Sequence, residues 1–160
     1  MSTRDEFLAP IRAAERPEVP EPELPPLRTG RGAALVEQFA AAAEAAGAHV
    51  HRGATPDLAG DAGVSRALYG LADTGSVVLA ASPDEPRARS LLPWTHVTLL
   101  RVEDILPGLA ELFAELGPEL PSALAIVTGP SRSADIEQRL AVGVHGPGEV
   151  HVALLDPVAR

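Results

Sequence analysis

The chain contains no cysteine and few aromatic residues, and both absences narrow what it can do. Its 160 residues include no disulfide, no thiolate nucleophile and no cysteine ligand for zinc or an iron–sulfur cluster. Aromatic residues make up 3% of the sequence against a hydrophobic share of 46%, so the core must consist mainly of Ala, Val and Leu. Any electron transfer that involves this chain therefore requires a partner that carries the metal.

The sequence also lacks a basic surplus and a long apolar run. Lys and Arg number 13 against 22 Asp and Glu, a formal net charge of -9, which argues against nucleic-acid binding because phosphates require a basic face. No run of about 18 apolar residues is present to span a membrane. The N-terminus, MSTRDEFLAPIRAAERPE, has no apolar segment of the signal-peptide kind. These absences predict a cytoplasmic protein that binds neither nucleic acid nor membrane.

The composition divides the chain into an N-terminal arm and one domain. Residues 17–30, PEVPEPELPPLRTG, are rich in proline and glutamate, which disfavours both a helix and a central strand. We predict an extended Pro/Glu-rich arm over residues 1–30, in which DEFLAPIRAAE forms a short helix interrupted at Pro10. A single α/β domain is predicted over residues 31–160.

Within the domain, the spacing of apolar residues alternates between the helix period and the strand period. The predicted helices are 33–46, 102–117 and 134–144, and the predicted strands are 48–52, 95–100, 123–129 and 149–155. Residues 55–63 are predicted as a loop or a helical turn. This order predicts a mainly parallel sheet flanked by helices, with right-handed crossovers, in which the strands near 123–128 and 149–155 run parallel.

The segment RALYGLADTGSVVLAAS has apolar runs on both sides of Asp73, Thr74 and Gly75. This spacing favours a β-hairpin with Gly75 at positive φ, although a helix leading into a strand fits the same residues. Thr74, Gly75 and Ser76 offer backbone N–H and hydroxyl groups to an anion. The structural alternative, a hairpin turn that merely needs glycine, is the favoured explanation of these residues.

The stretch TGPSRSADIE follows a predicted strand and opens a predicted helix. In open α/β sheets such junctions lie at the carboxyl ends of strands, where free backbone N–H groups point toward ligands. Arg132 adds a guanidinium that matches a carboxylate or a phosphate. The residues of this candidate anion site are Gly129, Ser131, Arg132, Ser133, Asp135 and Glu137. The alternative is structural, with Ser133 capping the helix and Asp135 complementing its dipole.

His145 and Gly146 lie in a second glycine-rich turn, GVHGPG, before the last predicted strand. An imidazole there can donate a proton or orient a substrate, and it can equally pack within the loop. We predict that this loop and the turn 129–133 face one pocket. If strands 123–128 and 149–155 run parallel, however, the loop enters the last strand at the opposite edge of the sheet.

Two other kinds of site are not expected. His49 and His51 share a face of one predicted strand and His151 lies on another, and without a third ligand nearby in the sequence we expect no zinc site. The sequence contains neither GxGxxG nor GxxxxGK[ST], so neither a dinucleotide fingerprint nor a Walker loop is present.

Together these motifs resemble the LUD domain family, of the lactate utilization protein C type. The resemblance lies in TGPSRSADIE followed by GVHGPGEVHVALL, with ADTGSVVL upstream and LLPWTHVTLL between them, and it extends over residues 33–155. Thr74, Gly75 and Ser76 match one family motif. The other is matched by Gly129, Ser131, Arg132, Asp135, Glu137, His145 and Gly146. Before ADTGS the chain is short for the family.

The resemblance implies a fold of the NagB/RpiA/CoA transferase-like superfamily, which contains phosphosugar isomerases and CoA transferases. It also implies a role in oxidising L-lactate to pyruvate with two partner proteins that carry iron–sulfur clusters, so that this chain holds no redox cofactor itself. A second class of function stays open: a free-standing enzyme or binding protein for an anionic metabolite, such as a CoA ester, a sugar phosphate or a small carboxylate. No catalytic residue is assigned by the resemblance.

Overall fold

The computed structural model describes residues 3–14, 20, 25–53, 55–57, 60, 62–118, 120–134 and 140–156. In these parts of the chain, the helices are α1 (Arg4–Ala13), α2 (Ala33–Ala45), α3 (Ala88–Leu91) and α4 (Leu109–Leu116). The strands are β1 (His49–Arg52), β2 (Ala62–Arg66), β3 (Tyr69–Leu71), β4 (Ser76–Ala80), β5 (Thr95–Arg101), β6 (Ile105–Leu106), β7 (Leu124–Val127), β8 (Arg132–Ala134), β9 (Leu140–Val142) and β10 (Glu149–Leu155). None of the described helices is long and apolar enough to cross a membrane.

One sheet is entirely parallel, in the order β1-β10-β5-β2. The helix α2 precedes β1 and packs on one face of this sheet, where Phe39 and Ala43 are fully buried. As the composition predicts, the core on this face is built mainly from small and branched residues: Phe39, Ala43, Ala48, Ala72, Val77, Leu100, Ile105, Val150, Val152 and Leu154. The predicted α/β fold, a parallel sheet flanked by helices, is confirmed.

The second sheet is mixed, in the order β6-β3-β4-β7. β3 and β4 form the predicted hairpin, and Gly75 has the expected positive φ, 66°. β7 is antiparallel to β4 and does not belong to the parallel sheet. The prediction that residues 123–128 run parallel to residues 149–155 is therefore wrong, because the two strands lie in different sheets.

The predicted helix over residues 134–144 is also wrong. β8 and β9 form an antiparallel pair there, while residues 135–139 lie outside the described residues. The sequence favours this outcome in retrospect: Leu140, Val142 and Val144 alternate with Ala141 and Gly143, which is the period of a strand. The helix prediction gave too much weight to the residues that precede this alternation.

Three smaller differences concern the ends of elements. β2 occupies part of the segment predicted as a loop or helical turn, since it gains its hydrogen bonds from β5. The predicted helix 102–117 is reduced to α4, because Pro107 restricts the residue before it and a 3₁₀ turn, Val102–Asp104, and β6 take its place. α1 continues through Pro10 and is not interrupted by it.

The last residues of the predicted arm contact the domain. The backbone N–H of Arg28 donates to Glu111 Oε1 at 2.7 Å, and its guanidinium donates to Glu111 Oε2 at 3.0 Å and Asp73 Oδ2 at 3.2 Å. Hydrogen bonds from Arg28 lower the pKa of Glu111 to about 2. Arg28 thus fastens the chain to α4 and to the β3–β4 turn. The division into arm and domain at residue 30 stays a prediction.

His96 is fully buried on β5, in the space between the two sheets. Its Nε2 lies 3.1 Å from Ser65 Oγ on β2, and its Nδ1 has no hydrogen-bond partner among the described residues. Burial lowers the pKa of His96 from 6.5 to about 4. His96 is therefore protonated near pH 6.5 in the unfolded chain but only near pH 4 in the folded chain.

The packing of the hairpin turn on α2 can be tested with a glycine replacement. A Cβ at Gly75 would overlap the backbone of Ala43, and its φ of +66° disfavours any other residue. Gly75→Ala should lower the free energy of unfolding by about 3 kcal/mol or more, from backbone strain and overpacking together. Gly117, with a φ of +60° and no atom within 4 Å of an added Cβ, is the matched control. Gly117→Ala should cost only the backbone strain, about 1–3 kcal/mol. Equal losses in urea denaturation would contradict the packing.

The burial of His96 predicts a pH-dependent stability. Because the unfolded state binds the proton more tightly, the free energy of unfolding should fall as the pH drops below 6.5, by about 2 kcal/mol between pH 7 and pH 5 from this residue. The pKa of His151 is lowered too, chiefly by burial, so that residue adds to the loss in the same direction.

The comparison of His96→Gln with His145→Gln isolates the contribution of the buried ring. Urea titrations at pH 7, 6 and 5 should show a shallower pH dependence for His96→Gln than for the wild type. His145 is exposed, and its replacement should leave the wild-type dependence in place. A His96→Gln protein with the wild-type slope would show that the ring titrates normally in the folded state.

Candidate functional site

The C-terminal end of α2 is the place where the two predicted motifs meet. Gly75, from the first motif, lies against the backbone of Ala43. Gly129, from the second, has a φ of +65°, and a Cβ on it would overlap the carbonyl oxygen of Ala46. Both turns thus approach the helix backbone more closely than any residue with a side chain permits. Glycine is required at both positions by packing as well as by φ.

A chain of hydroxyl groups joins the two motifs. Thr74 Oγ1 lies 2.7 Å from Ser76 Oγ, which lies 2.7 Å from Thr128 Oγ1. Ser76 is only 2% exposed, whereas Thr74 and Thr128 are exposed at the two ends. Since each hydroxyl can donate or accept, the chain presents adaptable polar groups to the surface. The sequence did not single out Thr128, although it directly precedes Gly129.

Arg132 lies over the end of α2. Its Nη2 donates to the carbonyl oxygen of Ala46 at 2.9 Å, which places a positive charge at the negative end of the helix dipole. The predicted anion site depended on the start of a helix after Arg132, and that helix start is absent because Ser133 lies in β8. Ser133 therefore caps no helix among the described residues. Asp135 and Glu137 lie outside the described residues.

Ser131 connects this cluster to the loop that carries His145. The N–H of Ser131 donates to the carbonyl oxygen of Pro147 at 2.9 Å, and the N–H of Gly143 donates to the carbonyl oxygen of Ser131 at 2.9 Å. Gly146 lies against the side chain of Ser131. The two turns are thus hydrogen-bonded to each other, while the prediction that they face one pocket stays a prediction. The difficulty of direction disappears because β7 is antiparallel in the second sheet, so its carboxyl end lies beside the amino end of β10.

The cluster lies at the amino ends of the parallel strands, not at their carboxyl ends as the sequence suggested. α2 ends just before β1, the His145 loop leads into β10, and the N–H of Glu149 donates to the carbonyl oxygen of Trp94, just before β5. Among the residues that the structure describes, no helix start therefore offers free backbone N–H groups to this cluster. The cationic and polar side chains of the cluster must supply any anion recognition.

An open groove of about 460 Å³ borders His145. Its walls include Leu91, Leu92, Trp94 and Val144. A side chain at Gly143 or Gly148 would overlap the indole of Trp94, so the ring packs directly against the backbone of these two glycines. Leu92 is 81% exposed and Trp94 57% exposed. In the sequence, the apolar run LLPW within a predicted loop indicates this groove. The exposure of its Leu and Trp side chains could not be predicted.

Three histidines are stacked on the neighbouring pair of strands. His51 Nε2 lies 2.9 Å from His151 Nδ1, and the ring centroid of His151 is 4.8 Å from that of His49 and 5.2 Å from that of His51. The pairing of β1 with β10 brings them together, which the sequence could not show. No group of His, Asp and Glu in the described parts of the chain is arranged to hold a metal ion.

Comparisons with known proteins agree with the motifs. A family model described as LUD domain matches residues 57–155. Lactate utilization protein C of Halalkalibacterium halodurans is 40% identical over 93 residues, which are 54% of this chain and 40% of that protein. Lactate utilization protein C of Bacillus subtilis is 40% identical over 91 residues, 53% of this chain and 38% of that protein. The uncharacterized protein YkgG of Escherichia coli is 44% identical over 91 residues, 53% of this chain and 39% of that protein.

These matches span less than half the length of each relative. A solved structure, that of a DUF162 family protein from Deinococcus radiodurans, aligns with a TM-score of 0.53 at 18% identity, over 76% of this chain and 96% of that chain. At this identity the structural likeness concerns the fold alone. The family model covers more than half of this chain and includes both motifs that meet on α2, and the chain therefore belongs to the LUD domain family.

Proposed function

We propose that this chain is a subunit of a lactate utilization system, in which L-lactate is oxidised to pyruvate together with partner proteins that carry iron–sulfur clusters. Membership of the LUD domain family and the names of the relatives from H. halodurans and B. subtilis support this proposal. The structural observation that supports it best is the meeting of the turn 74–76, the turn 129–132 and the loop 143–147 at one surface. In this proposal the electrons from lactate pass to clusters in the partners, and this chain holds no redox cofactor.

Arg132 is the cation of the proposed site. It uses one N–H on the carbonyl oxygen of Ala46, and its guanidinium carries further donors that suit a carboxylate. The exposed hydroxyls of Thr74 and Thr128 add donors, and the exposed imidazole of His145 adds a further polar group. Ser131, Gly146, Gly75 and Gly129 hold these groups in place through backbone contacts. For Asp135 and Glu137 a part in ligand binding is proposed from the family motif alone, and for Ser133 from its hydroxyl next to Arg132 in the sequence.

The groove beside His145 is the proposed contact with a partner protein. Its volume of about 460 Å³ exceeds what a lactate-sized molecule fills, and its exposed Leu92, Trp94 and Val144 resemble the apolar centre of a protein interface. A small carboxylate beside Arg132 would then lie next to the partner. This arrangement places the ligand and the partner on the same edge of the fold.

Binding experiments with the isolated chain test the ligand half of this proposal. L-lactate, pyruvate, phosphate and CoA are titrated calorimetrically into the wild type, Arg132→Ala and His145→Ala. Arg132→Ala should weaken binding of the carboxylate by about 1.5–3 kcal/mol, because it removes a charge-assisted hydrogen bond. His145 makes no hydrogen bond to the described residues, so any effect of His145→Ala on affinity is separate from folding. Arg4→Ala, in the exposed helix α1, is the control and should bind like the wild type.

Arg132→Ala also removes the bond to Ala46, and it should lower the free energy of unfolding by about 1 kcal/mol. A urea denaturation of each variant separates this loss from the loss of affinity. Identical affinities of the wild type, Arg132→Ala and His145→Ala for every ligand that binds would contradict the proposed site. Turnover of a CoA ester or a sugar phosphate by the isolated chain would favour the alternative, a free-standing enzyme.

A further inference from the structure

A cavity of about 170 Å³ lies between the two sheets, at the far end of β4 from Ser76. It is bounded by the carboxyl ends of β2 and β4, by the start of β7 and by the segment that leads into α3. Unlike the motif cluster, it lies at the carboxyl end of a strand of the parallel sheet, where ligands of α/β proteins usually bind. A cavity of about 150 Å³ holds a benzene molecule, so this one has room for a ligand of about six heavy atoms.

Ser65 contributes a hydroxyl group to this cavity, and His96 sets its direction. Ser65 is 5% exposed and lines the cavity, with its Oγ 3.1 Å from His96 Nε2. At neutral pH the buried imidazole carries one proton, because burial lowers its pKa to about 4. If that proton is on Nδ1, the buried Nδ1–H has no acceptor among the described residues. If it is on Nε2, the group without a partner is the lone pair of Nδ1. Unpaired buried N–H groups are the rarer of the two in proteins.

His96 therefore donates its Nε2 proton to Ser65 Oγ, and the hydroxyl hydrogen of Ser65 is left for another acceptor. No other residue in the described ranges accepts a hydrogen bond from Ser65. Since Ser65 lines the cavity, the acceptor that suits this hydrogen is an atom of a ligand within it.

Arg87 contributes a charge that is not neutralised. Its exposed side chain makes no ion pair within the described parts of the chain, whereas the neighbouring Arg89 is paired with Glu85 at 3.1 Å. Glu85, Arg66 and Arg87 all line the cavity. Arg89 neutralises Glu85, whereas neither Arg66 nor Arg87 makes an ion pair within the described parts of the chain. The remaining wall includes the apolar side chains of Leu79 and Leu124.

We propose that this cavity binds a small monocarboxylate, with Arg87 as the counter-charge, Ser65 as a hydrogen-bond donor and the short alkyl part of the ligand against Leu79 and Leu124. Arg66 and Ser90 line the cavity as well, and its apolar wall suits the alkyl part of a carboxylate, for which inorganic phosphate has no counterpart. The proposal goes beyond the function proposed above, since it concerns other residues, which line the space between β2 and the second sheet.

Propionate and its neutral isostere propionamide are the probes that test this site, in NMR titrations of the ¹⁵N-labelled chain. Propionate should move the amide signals of residues 65, 79 and 87, and propionamide should bind about tenfold more weakly or less. Arg87→Gln should weaken propionate binding by about tenfold or more, because it removes the charge-assisted bond. Ser65→Ala should weaken it several-fold, and Arg4→Gln, the exposed control in α1, should bind like the wild type.

Arg87 is exposed, so its replacement tests binding without a risk to the fold. The ¹⁵N shifts of the His96 ring should report a proton on Nε2 in the free protein. Equal binding of propionate and propionamide, or an unchanged affinity in Arg87→Gln, would overturn the proposal. Propionate-induced shifts confined to residues 74–76 and 128–132 would also overturn it, and they would leave the site at the end of α2 in place.

Discussion

The close approach of two glycine turns to the end of α2 is the contact on which the rest of the arrangement depends. Gly75, in the turn between β3 and β4, lies against the backbone of Ala43. Gly129, in the turn after β7, lies against the carbonyl oxygen of Ala46. Because a Cβ at either position would overlap the helix, the distance between α2 and the second sheet is fixed there. The pairing of β4 with β7 brings Ser76 and Thr128 to 2.7 Å beside this contact, and Arg132 lies over the end of the helix.

Two polar regions lie on either side of α3, which borders both. In the first, the motif residues, His145 and an exposed apolar groove share one surface, and no helix start among the described residues supplies donors. In the second, Ser65 lines a small cavity at the carboxyl end of β2, and its Oγ lies 3.1 Å from the buried His96. The first region carries the features of the family. The two regions share no lining residue.

Much of the framework was predictable from the sequence, because α2, the hairpin at Gly75 and strands β1, β5 and β10 carry their own periodicity and turn residues. β2 was missed because its residues AGVSR alternate weakly and depend on pairing with β5. β1 and β2 lie at opposite edges of the parallel sheet, and only residues 53–61 connect them. Parallel strands usually need a connection of a dozen residues or more. In the candidate site, the contact of Ser131 with the His145 loop was predictable. The helix start that was expected to bind an anion after Arg132 is replaced by strand β8. The pairing of Ser65 with His96 depends on the register of β2 with β5, which no local pattern reveals.

Capture of a partner through the groove beside His145 tests the central claim, that the surface at the end of α2 is the functional one. The chain is co-expressed with tagged iron–sulfur proteins of a lactate utilization system, and the amount retained on purification is measured. Leu92→Ser should abolish or strongly reduce retention, since Leu92 is 81% exposed and its loss leaves the fold intact. Phe113→Ser, a 54% exposed apolar residue on α4, is the matched control and should be retained like the wild type. Equal retention of Leu92→Ser, Phe113→Ser and the wild type would contradict the account.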